Sequence, residues 1–396
     1  MAIRIAIIGC GGMSGGHLNA YLTIYESEPE KVELVAMCDA VKERAENFAG
    51  RVKETTGKTP AVYDDVDKML ATENLDGADI CTSHAYHHVV ATKCLNVGVN
   101  VMVEKPMGIT VKATHAIIEA AAANNKIAAT AENIRRMPSR RTSWWLMNEK
   151  KMLGEMTTFY AQHASYGAPS PESADWHWRL DLSLGGGGMV MHAGAHYGDT
   201  IRYLFGDPDT VYGRVSKIID RKVTKSGELV QDEQEDTWMA TINFKSGVTG
   251  LWTCSWAAPG HDFNHVIYYG TEGALIDSGD IFHGPFDEAE IVLKDGSQHS
   301  MEDLIEDYMS SLDEEEKNRL FPHGFTDGVV LECYDFVDAI ENDRPPEITA
   351  EMGLRAKSIC EAIYESNACN QVVDYEAVVS GEIEVYQKPI NERWDL

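Results

Sequence analysis

The stretch Ile3–His17, "IRIAIIGCGGMSGGH", decides the fold that the sequence predicts. Its apolar first half is typical of a buried strand, and the glycines that follow are typical of a tight turn into a helix. Gly9, Gly11 and Ser14 occupy the three positions of a G-x-G-x-x-G turn, with a small serine in the third place. Such a turn brings backbone N–H groups close to a pyrophosphate. The candidate cofactor contacts here are Gly9, Gly11, Gly12, Met13 and Ser14.

Strand-like and helix-like segments alternate through the first third of the chain. Further short apolar runs cover 32–39, 77–83, 100–106 and 126–132, and amphipathic stretches cover 41–54 and 111–125. This alternation predicts an α/β domain built on a doubly wound parallel sheet. The expected dinucleotide-binding domain spans residues 1–133.

Asp39 ends the second predicted strand, where an acidic side chain can accept hydrogen bonds from an adenosine ribose. A carboxylate at this place repels a 2′-phosphate. The sequence therefore favours NAD over NADP.

The pattern changes after about residue 135. Longer strands are predicted at 156–165, 237–244, 248–257, 264–273 and 288–296, with helices at 189–205, 323–341 and 350–367. Strands separated by turn residues, with only single helices between them, indicate an α+β domain with a large, mostly antiparallel sheet. This second domain is predicted to span residues 134–396.

Composition excludes several classes of protein. The chain has 396 residues, with 34 basic against 63 acidic side chains and a net charge of −29. Such a surface repels nucleic acids and anionic membranes, so neither is expected as a partner. No apolar run approaches membrane-spanning length, no signal peptide is visible, and the eight scattered cysteines lack a CxxC pair. These features predict a cytoplasmic protein with reduced thiols.

Several motifs together resemble the glucose–fructose oxidoreductase/inositol dehydrogenase/MocA (Gfo/Idh/MocA) family. They are "ICTSHAYHH" (80–88), "VNVMVEKPMGIT" (99–110), "RRMP" (135–138), "WHWRLD" (176–181) and "YDFVDAIENDRPP" (334–346). The resemblance implies a Rossmann domain followed by a domain with an open, mainly antiparallel sheet. It also implies NAD(P)-dependent oxidation of secondary hydroxyls on sugars or cyclitols, and a homo-oligomer, either a dimer or a tetramer.

The resemblance assigns roles to particular residues. Lys105 is the lysine near the nicotinamide and the substrate hydroxyl, and Pro106 is expected to follow a cis peptide. Trp178 and Arg179 match a pair that borders the substrate, where Arg136 is also expected. His84 is a further cofactor candidate because it lies at the end of the fourth predicted strand. The remaining cofactor candidates are thus Thr82, Ser83, His84, His87, Glu104, Lys105 and Asn133.

The stretch "GGGGMVMHAGAH" (185–196) carries two histidines four residues apart. On one helix His192 and His196 share a face, which Asp199 joins or borders. The resemblance makes His196 the general acid/base and shows His192 in place of the usual aspartate. A catalytic pair, a metal site and simple packing all remain open. The metal site is disfavoured because no HExxH glutamate and no third ligand are evident, so no metal is expected.

The function that the sequence predicts is NAD-dependent oxidation, or the reverse reduction, of a secondary hydroxyl on a sugar, glycoside or cyclitol. Two alternatives remain: an NAD-dependent glycosidase that works by transient oxidation and elimination, and a non-catalytic sensor of sugar or NAD on the same fold. The candidate catalytic residues are Lys105, His192 and His196. The candidate substrate contacts are Lys105, Arg136, Tyr166, Trp178, Arg179, His192, His196 and Asp199.

Overall fold

Strands and helices alternate from the first residues onward in the computed structural model, which describes residues 1–167, 174–225, 228–277 and 279–396. Up to residue 131 the strands are β1 (Ile3–Ile8), β2 (Val32–Cys38), β3 (Ala61–Tyr63), β4 (Gly77–Ile80), β5 (Asn100–Glu104) and β6 (Ala128–Ala131). The helices between them are α1 (Gly12–Ser27), α2 (Lys42–Thr56), α3 (Val66–Thr72), α4 (His84–Asn96) and α5 (Val111–Asn124).

The six strands form one sheet in the order β3-β2-β1-β4-β5-β6, and every pairing in it is parallel. The strand order reverses between β1 and β4, where doubly wound sheets bind dinucleotides. The predicted parallel sheet is confirmed. Strand β3 was not predicted, because three half-buried residues carry too short a pattern.

Strands dominate the middle of the chain. They are β7 (Met156–Ala164), β8 (Pro208–Ser216), β9 (Lys222–Lys225), β10 (Glu228–Gln231), β11 (Thr237–Phe244), β12 (Thr249–Ser255), β13 (Phe263–Gly270), β14 (Gly273–Asp277), β15 (Glu290–Leu293), β16 (Gln298–Ser300) and the late β17 (Val373–Asp374). Nine of them form a sheet in the order β16-β15-β14-β13-β7-β12-β11-β8-β17, and β9 pairs with β10 alone. Only β7 and β12 pair in parallel, so the predicted mostly antiparallel sheet is confirmed.

Helices also occur throughout the part of the chain that follows residue 137. They are α6 (Pro138–Trp144), α7 (Leu182–Gly185), α8 (Met189–His192), α9 (Gly194–Phe205), α10 (Met301–Ser311), α11 (Glu314–Leu320), α12 (Gly328–Glu341), α13 (Ala350–Cys369), α14 (Tyr375–Val379) and α15 (Lys388–Arg393). A π-helical turn follows α6, and 3-10 turns cover Ile134–Arg136, Ala174–Leu180 and Pro322–Gly324.

The chain groups into two units. Unit 1 contains Met1–Asn133 and Asn318–Leu354, and unit 2 contains Ile134–Lys317 and Arg355–Leu396. Helix α12, which the sequence-based division assigned to the second domain, thus packs with the parallel sheet, and its Phe336 and Val337 belong to that core. A division of the chain after residue 133 stays a prediction.

The interior of each unit is mainly apolar. In unit 1 the strands contribute fully buried residues such as Ile5 and Val101, and in unit 2 the sheet buries Trp238 and Trp252 completely. All eight cysteines are thiols, six of them buried, as the apolar runs predicted. Within the described ranges, no helix is both long and apolar enough to cross a bilayer.

Candidate active site

The glycine turn after β1 has the geometry that a bound phosphate needs. Gly9 has φ of 90°, and a Cβ there would lie 2.6 Å from the carbonyl oxygen of Cys81, so only glycine fits. Gly11 precedes α1 and has no heavy atom within 4 Å of an added Cβ, which leaves the helix N-terminus accessible. Ser14 is buried and donates its hydroxyl to the Gly11 carbonyl at 3.0 Å, while Gly12 and Met13 are exposed. The turn therefore fits a pyrophosphate.

Asp39 follows β2 directly and is held by two backbone groups. Its Oδ2 accepts from the Cys10 N–H at 2.7 Å, and its Oδ1 accepts from the Val41 N–H at 2.8 Å. Each carboxylate oxygen keeps further lone pairs for a ribose hydroxyl. Together with the turn after β1, this arrangement fits an adenine dinucleotide without a 2′-phosphate.

Lys105 follows the last residue of β5, and the Lys105–Pro106 peptide is cis, as the resemblance led us to expect. His87 on α4 connects this segment to the end of β4. Its Nδ1 lies 2.9 Å from the Pro106 carbonyl oxygen and its Nε2 lies 3.0 Å from that of Thr82. Burial lowers the pKa of His87, although both carbonyls act in the opposite direction. His87 thus braces the backbone that carries Lys105.

The other predicted cofactor residues of unit 1 have different environments. Ser83 precedes α4 without capping it through its side chain, and His84 is buried with its ring 5.7 Å from that of His87. Thr82 and Asn133 are half-buried. Glu104 is buried and lies against His17 instead of at the surface.

The sequence did not indicate the buried cluster around His17. The His17 Nδ1 lies 2.8 Å from Asp79, and its Nε2 lies 3.2 Å from Glu104 and 3.6 Å from Glu332. Burial alone would lower the pKa of His17, but the charge of Asp79 and its hydrogen bond to the ring outweigh burial, and the pKa is raised well above its usual value. One signal was available: Asp79 is a charged residue inside a predicted buried strand, where it requires a partner.

Ligand-type atoms of His17, Asp79 and Cys81 lie within 4.8 Å of one another, which is close enough for a metal ion. The separation between His17 and Asp79 is, however, that of a hydrogen-bonded ion pair. The absence of a metal from this protein stays a prediction.

In unit 2 the structure corrects the single helix that was predicted for 189–205. Helix α8 ends at His192, Ala193 lies outside regular helix, and α9 begins at Gly194. A Cβ on Gly194 would lie 2.5 Å from the Trp252 ring, so the chain passes the ring too closely for a side chain. His192 and His196 are both buried, but they stand on consecutive helices.

The glycine run before these helices has a packing cause. Gly186 has φ of 78°, and a Cβ on Gly187 would lie 2.6 Å from the Tyr364 hydroxyl. A Cβ on Gly188 would collide with the carboxylate of Glu235. Three of the four glycines are therefore required by positive φ or by close contact.

Glu235, which the sequence did not single out, caps α8. Its carboxylate accepts from the N–H groups of Gly188 at 3.1 Å and Val190 at 2.9 Å, and from the Tyr364 hydroxyl at 2.9 Å. Burial raises the pKa of Glu235, and these hydrogen bonds oppose the increase. The helix that carries His192 is thus anchored by two residues remote in sequence.

His192 contacts the tryptophan of the Trp178–Arg179 pair, which the resemblance assigned to the substrate. Its ring lies edge-on to that of Trp178 with centroids 5.8 Å apart, and the Arg179 guanidinium lies 5.4 Å from the Trp178 ring centre. Gln234 donates to the Arg179 carbonyl at 2.7 Å and holds this segment. The structure therefore brings His192, Trp178 and Arg179 together.

His196 has a neighbour that the sequence did not predict. Its ring centroid lies 5.3 Å from that of His283, and the His283 Nδ1 lies 2.9 Å from Asp280 Oδ2. Burial would raise the pKa of Asp280, but its hydrogen bonds with His283 and with backbone groups lower it overall. The loop after β14 thus supplies a histidine–aspartate pair beside the predicted acid/base.

The remaining predicted substrate contacts of unit 2 are less directly supported. Asp199 is buried in an ion pair with Arg135 at 3.1 Å. Arg136 is buried and its carbonyl accepts from the Arg141 guanidinium at 2.9 Å. Tyr166 is 66% exposed and forms an isolated bridge with Ala257. Their contact with substrate stays a prediction.

Two family models match this chain. The model described as an oxidoreductase family with an NAD-binding Rossmann fold matches residues 3–132, and that of the GFO/IDH/MocA C-terminal domain matches residues 147–276. The predicted resemblance is confirmed.

Individual relatives have low sequence identity to this chain but match most of its length. The chain is 22% identical to 1,5-anhydro-D-fructose reductase of Ensifer adhaerens, over 87% of this chain and 91% of the relative. It is 25% identical to levoglucosan dehydrogenase of Pseudarthrobacter phenanthrenivorans, over 69% and 73% respectively. A solved levoglucosan dehydrogenase, in complex with NADH and L-sorbose, has the same fold with a TM-score of 0.75 at 21% identity, covering 95% of this chain and 99% of its own.

Proposed function

Because the chain belongs to the Gfo/Idh/MocA family of oxidoreductases, we propose that it oxidises a secondary hydroxyl of a sugar, glycoside or cyclitol, or reduces the matching ketone, with NAD. The observation that carries this proposal is the pair of buried histidines on consecutive helices, His196 next to the ring of His283 and His192 next to the ring of Trp178. Relatives named for a sugar reductase and a sugar dehydrogenase support a carbohydrate substrate.

The reaction requires one group to take a proton and another to stabilise negative charge. NAD⁺ bound at the turn after β1 supplies the hydride acceptor. We assign the hydroxyl proton to the imidazole of His196, since histidine is suited to accept a proton near neutral pH. The ammonium of Lys105 stabilises the developing alkoxide, and His87 fixes the backbone beside it through the Pro106 carbonyl.

Substrate recognition is assigned to the segment around Trp178. An indole face packs on the apolar face of a sugar ring, and a guanidinium such as that of Arg179 donates to hydroxyl oxygens. His192 stands where the resemblance leads us to expect aspartate. An imidazole there can contact a substrate hydroxyl without the fixed negative charge of a carboxylate.

The test is a screen for NADH absorbance with monosaccharides, anhydrosugars, cyclitols and glycosides. On the best substrate, His196→Gln and Lys105→Met are each expected to lower kcat by about 10²–10⁴-fold, while NADH binding measured by fluorescence stays within about twofold of wild type. His299→Gln, on the edge strand β16, is the matched control and should retain full activity.

Two outcomes would contradict the proposal. One is the absence of NAD-linked turnover across the whole panel, and the other is full activity of His196→Gln. Release of an aglycone without accumulation of NADH would favour the NAD-dependent glycosidase, and sugar binding without any turnover would favour the sensor. The expected dimer or tetramer and the cytoplasmic location stay predictions, the first to be checked by light scattering.

A further inference from the structure

The loop that follows β14 carries a histidine–aspartate pair that the reaction described above does not use. Asp280 accepts hydrogen bonds from the backbone N–H groups of Phe282 at 2.7 Å and His283 at 3.1 Å, and its Oδ2 faces the His283 Nδ1 at 2.9 Å. One carboxylate therefore fixes both the turn and the ring. The contact at Nδ1 makes this nitrogen the one that carries hydrogen, and it leaves Nε2 to exchange protons.

A buried arginine holds the same loop from the other side. Arg140 on α6 donates through Nε at 3.1 Å and Nη2 at 2.6 Å to the carbonyl oxygen of His283, and its guanidinium lies 4.6 Å from the centre of the Phe286 ring. Two hydrogen bonds from one charged group to a single carbonyl restrict the backbone strongly. The position of the His283 ring is therefore set by two independent anchors.

The two histidine rings differ in their access to water. His196 is 8% exposed, whereas the His283 side chain is 36% exposed. Their ring centroids are 5.3 Å apart with the planes inclined by 50°, so the two rings are neighbours in van der Waals contact. Asp280 also lines an open cavity of about 670 Å³ together with His163, Trp256 and Glu288. The buried ring of His196 thus has a neighbouring ring that reaches solvent.

We propose that His283, oriented by Asp280, is the positioning residue through which the proton taken up by His196 passes to solvent. The inference rests on the proposed function, because it assigns the fate of the proton that His196 accepts from the substrate hydroxyl. His283 acts through His196 and touches no reacting atom.

The steps balance in protons. The substrate O–H bond breaks as an N–H bond forms on one nitrogen of His196. The N–H bond on the other nitrogen then breaks as one forms on the Nε2 of His283, directly or through a water. Asp280 stabilises the resulting imidazolium, in the way a carboxylate supports an active-site histidine. Water finally removes the Nε2 proton and restores neutral His283.

The charged groups around His283 are of both signs. Asp280 faces the His283 ring at Nδ1, and the Arg140 guanidinium donates to the His283 carbonyl. Asp277, at the end of β14, accepts from the Phe286 N–H at 3.0 Å and belongs to the negative charge that surrounds Arg140.

The experiment compares His283→Ala, His283→Phe and Asp280→Asn with wild type on the substrate found by the NADH screen. His283→Ala is expected to lower kcat by about 10–100-fold with KM within about twofold, and added imidazole should restore at least about a third of the lost activity. His283→Phe keeps a ring against His196 and should show the same loss of kcat without rescue. Asp280→Asn should lower kcat by about three- to tenfold, and imidazole should have no effect on wild type.

A second measurement does not depend on turnover. In protein labelled with ¹⁵N-histidine, the His196 resonance is identified by its absence in His196→Gln, and its titration midpoint should differ between wild type and His283→Phe. A wild-type kcat in His283→Ala, or a loss that imidazole does not restore together with an unchanged His196 midpoint, would overturn the inference. If wild type shows no NAD-linked turnover, the proposed function fails and this inference fails with it. Normal wild-type turnover together with full activity of His283→Ala overturns this inference alone.

Discussion

We expect that removal of the Glu235 carboxylate destabilises helix α8, which carries His192. In Glu235→Ala the Val190 N–H and the Tyr364 hydroxyl lose their acceptor, whereas the Gly188 N–H keeps the Tyr364 oxygen at 3.1 Å. Each buried donor left unsatisfied costs about 1–3 kcal/mol, and the relief of burying a carboxylate offsets part of this. We expect a net loss of about 3 kcal/mol, which corresponds to roughly 6–12 °C in the melting temperature of a unit of this size.

Glu235→Gln separates the effect of the side chain's shape on stability from the effect of its charge. Its amide oxygen can serve Val190 and Tyr364, and its NH₂ group would face only the Gly188 N–H, which retains the Tyr364 acceptor. The expected loss is therefore about 1 kcal/mol. Glu233→Ala is the matched control, because Glu233 is 71% exposed and pairs with Lys217 at 3.4 Å. Its effect should stay within about 0.5 kcal/mol.

The free energy that Glu235 contributes to folding should depend on pH. The pKa of Glu235 is raised in the folded chain, so the folded state binds its proton more tightly than the unfolded state. The stability that the native residue contributes is then greatest below its unfolded pKa of 4.5 and decreases as pH rises through the raised value. The gap between wild type and Glu235→Ala should therefore be larger at acidic pH than at neutral pH.

The assays are thermal unfolding followed by circular dichroism and hydrogen exchange of peptides that cover residues 186–196. Glu235→Ala should lower the melting temperature and accelerate exchange most at Val190, whose amide loses its acceptor. Exchange at Gly188 should rise less, because this amide keeps the Tyr364 oxygen. An unchanged melting temperature together with unchanged exchange at these two amides would refute the reasoning.

Two further predictions concern unit 1. His17→Ala leaves Asp79 buried without its imidazole and should lower the free energy of unfolding by about 3–5 kcal/mol at pH 6. Since the pKa of His17 is raised, its contribution to stability is fully present below pH 6.5 and is lost as pH rises through the raised value. A difference between wild type and variant in urea unfolding that does not shrink at alkaline pH would contradict the assignment. Asp39→Asn keeps acceptor oxygen for the Cys10 N–H but removes the charge, and it should raise the preference for NADP over NAD by about tenfold or more in kcat/KM. An unchanged ratio would show that Asp39 does not face the ribose.

The sequence could predict those features that depend on local chemistry. The glycine turn and Asp39 were identified because positive φ, close approach and an acid at a strand end are properties of neighbouring residues. The parallel and antiparallel sheets followed from the alternation of apolar runs. Lys105, His192 and His196 were selected by motif and resemblance. Their chemical roles remain proposals.

Spacing alone misled at one place. Residues four apart on one helix share a face, but the helix predicted across His192 and His196 is divided at Ala193. The cause is tertiary, because Gly194 packs against the ring of Trp252 from a distant strand. A periodic pattern in the sequence shows which residues are apolar, but it does not show which distant side chain will pack against the backbone.

What the sequence determined by itself was the order of the elements, the class of each sheet and the turn suited to a dinucleotide, since these depend on properties repeated along the chain. Only the tertiary structure decided which residues support the histidines. Glu235 is 47 residues from Gly188 and Tyr364 is 176 residues from it, while His283 comes from a loop with no spacing signal. Pairing between such remote side chains depends on the path of the chain through space, and no local pattern carries that information.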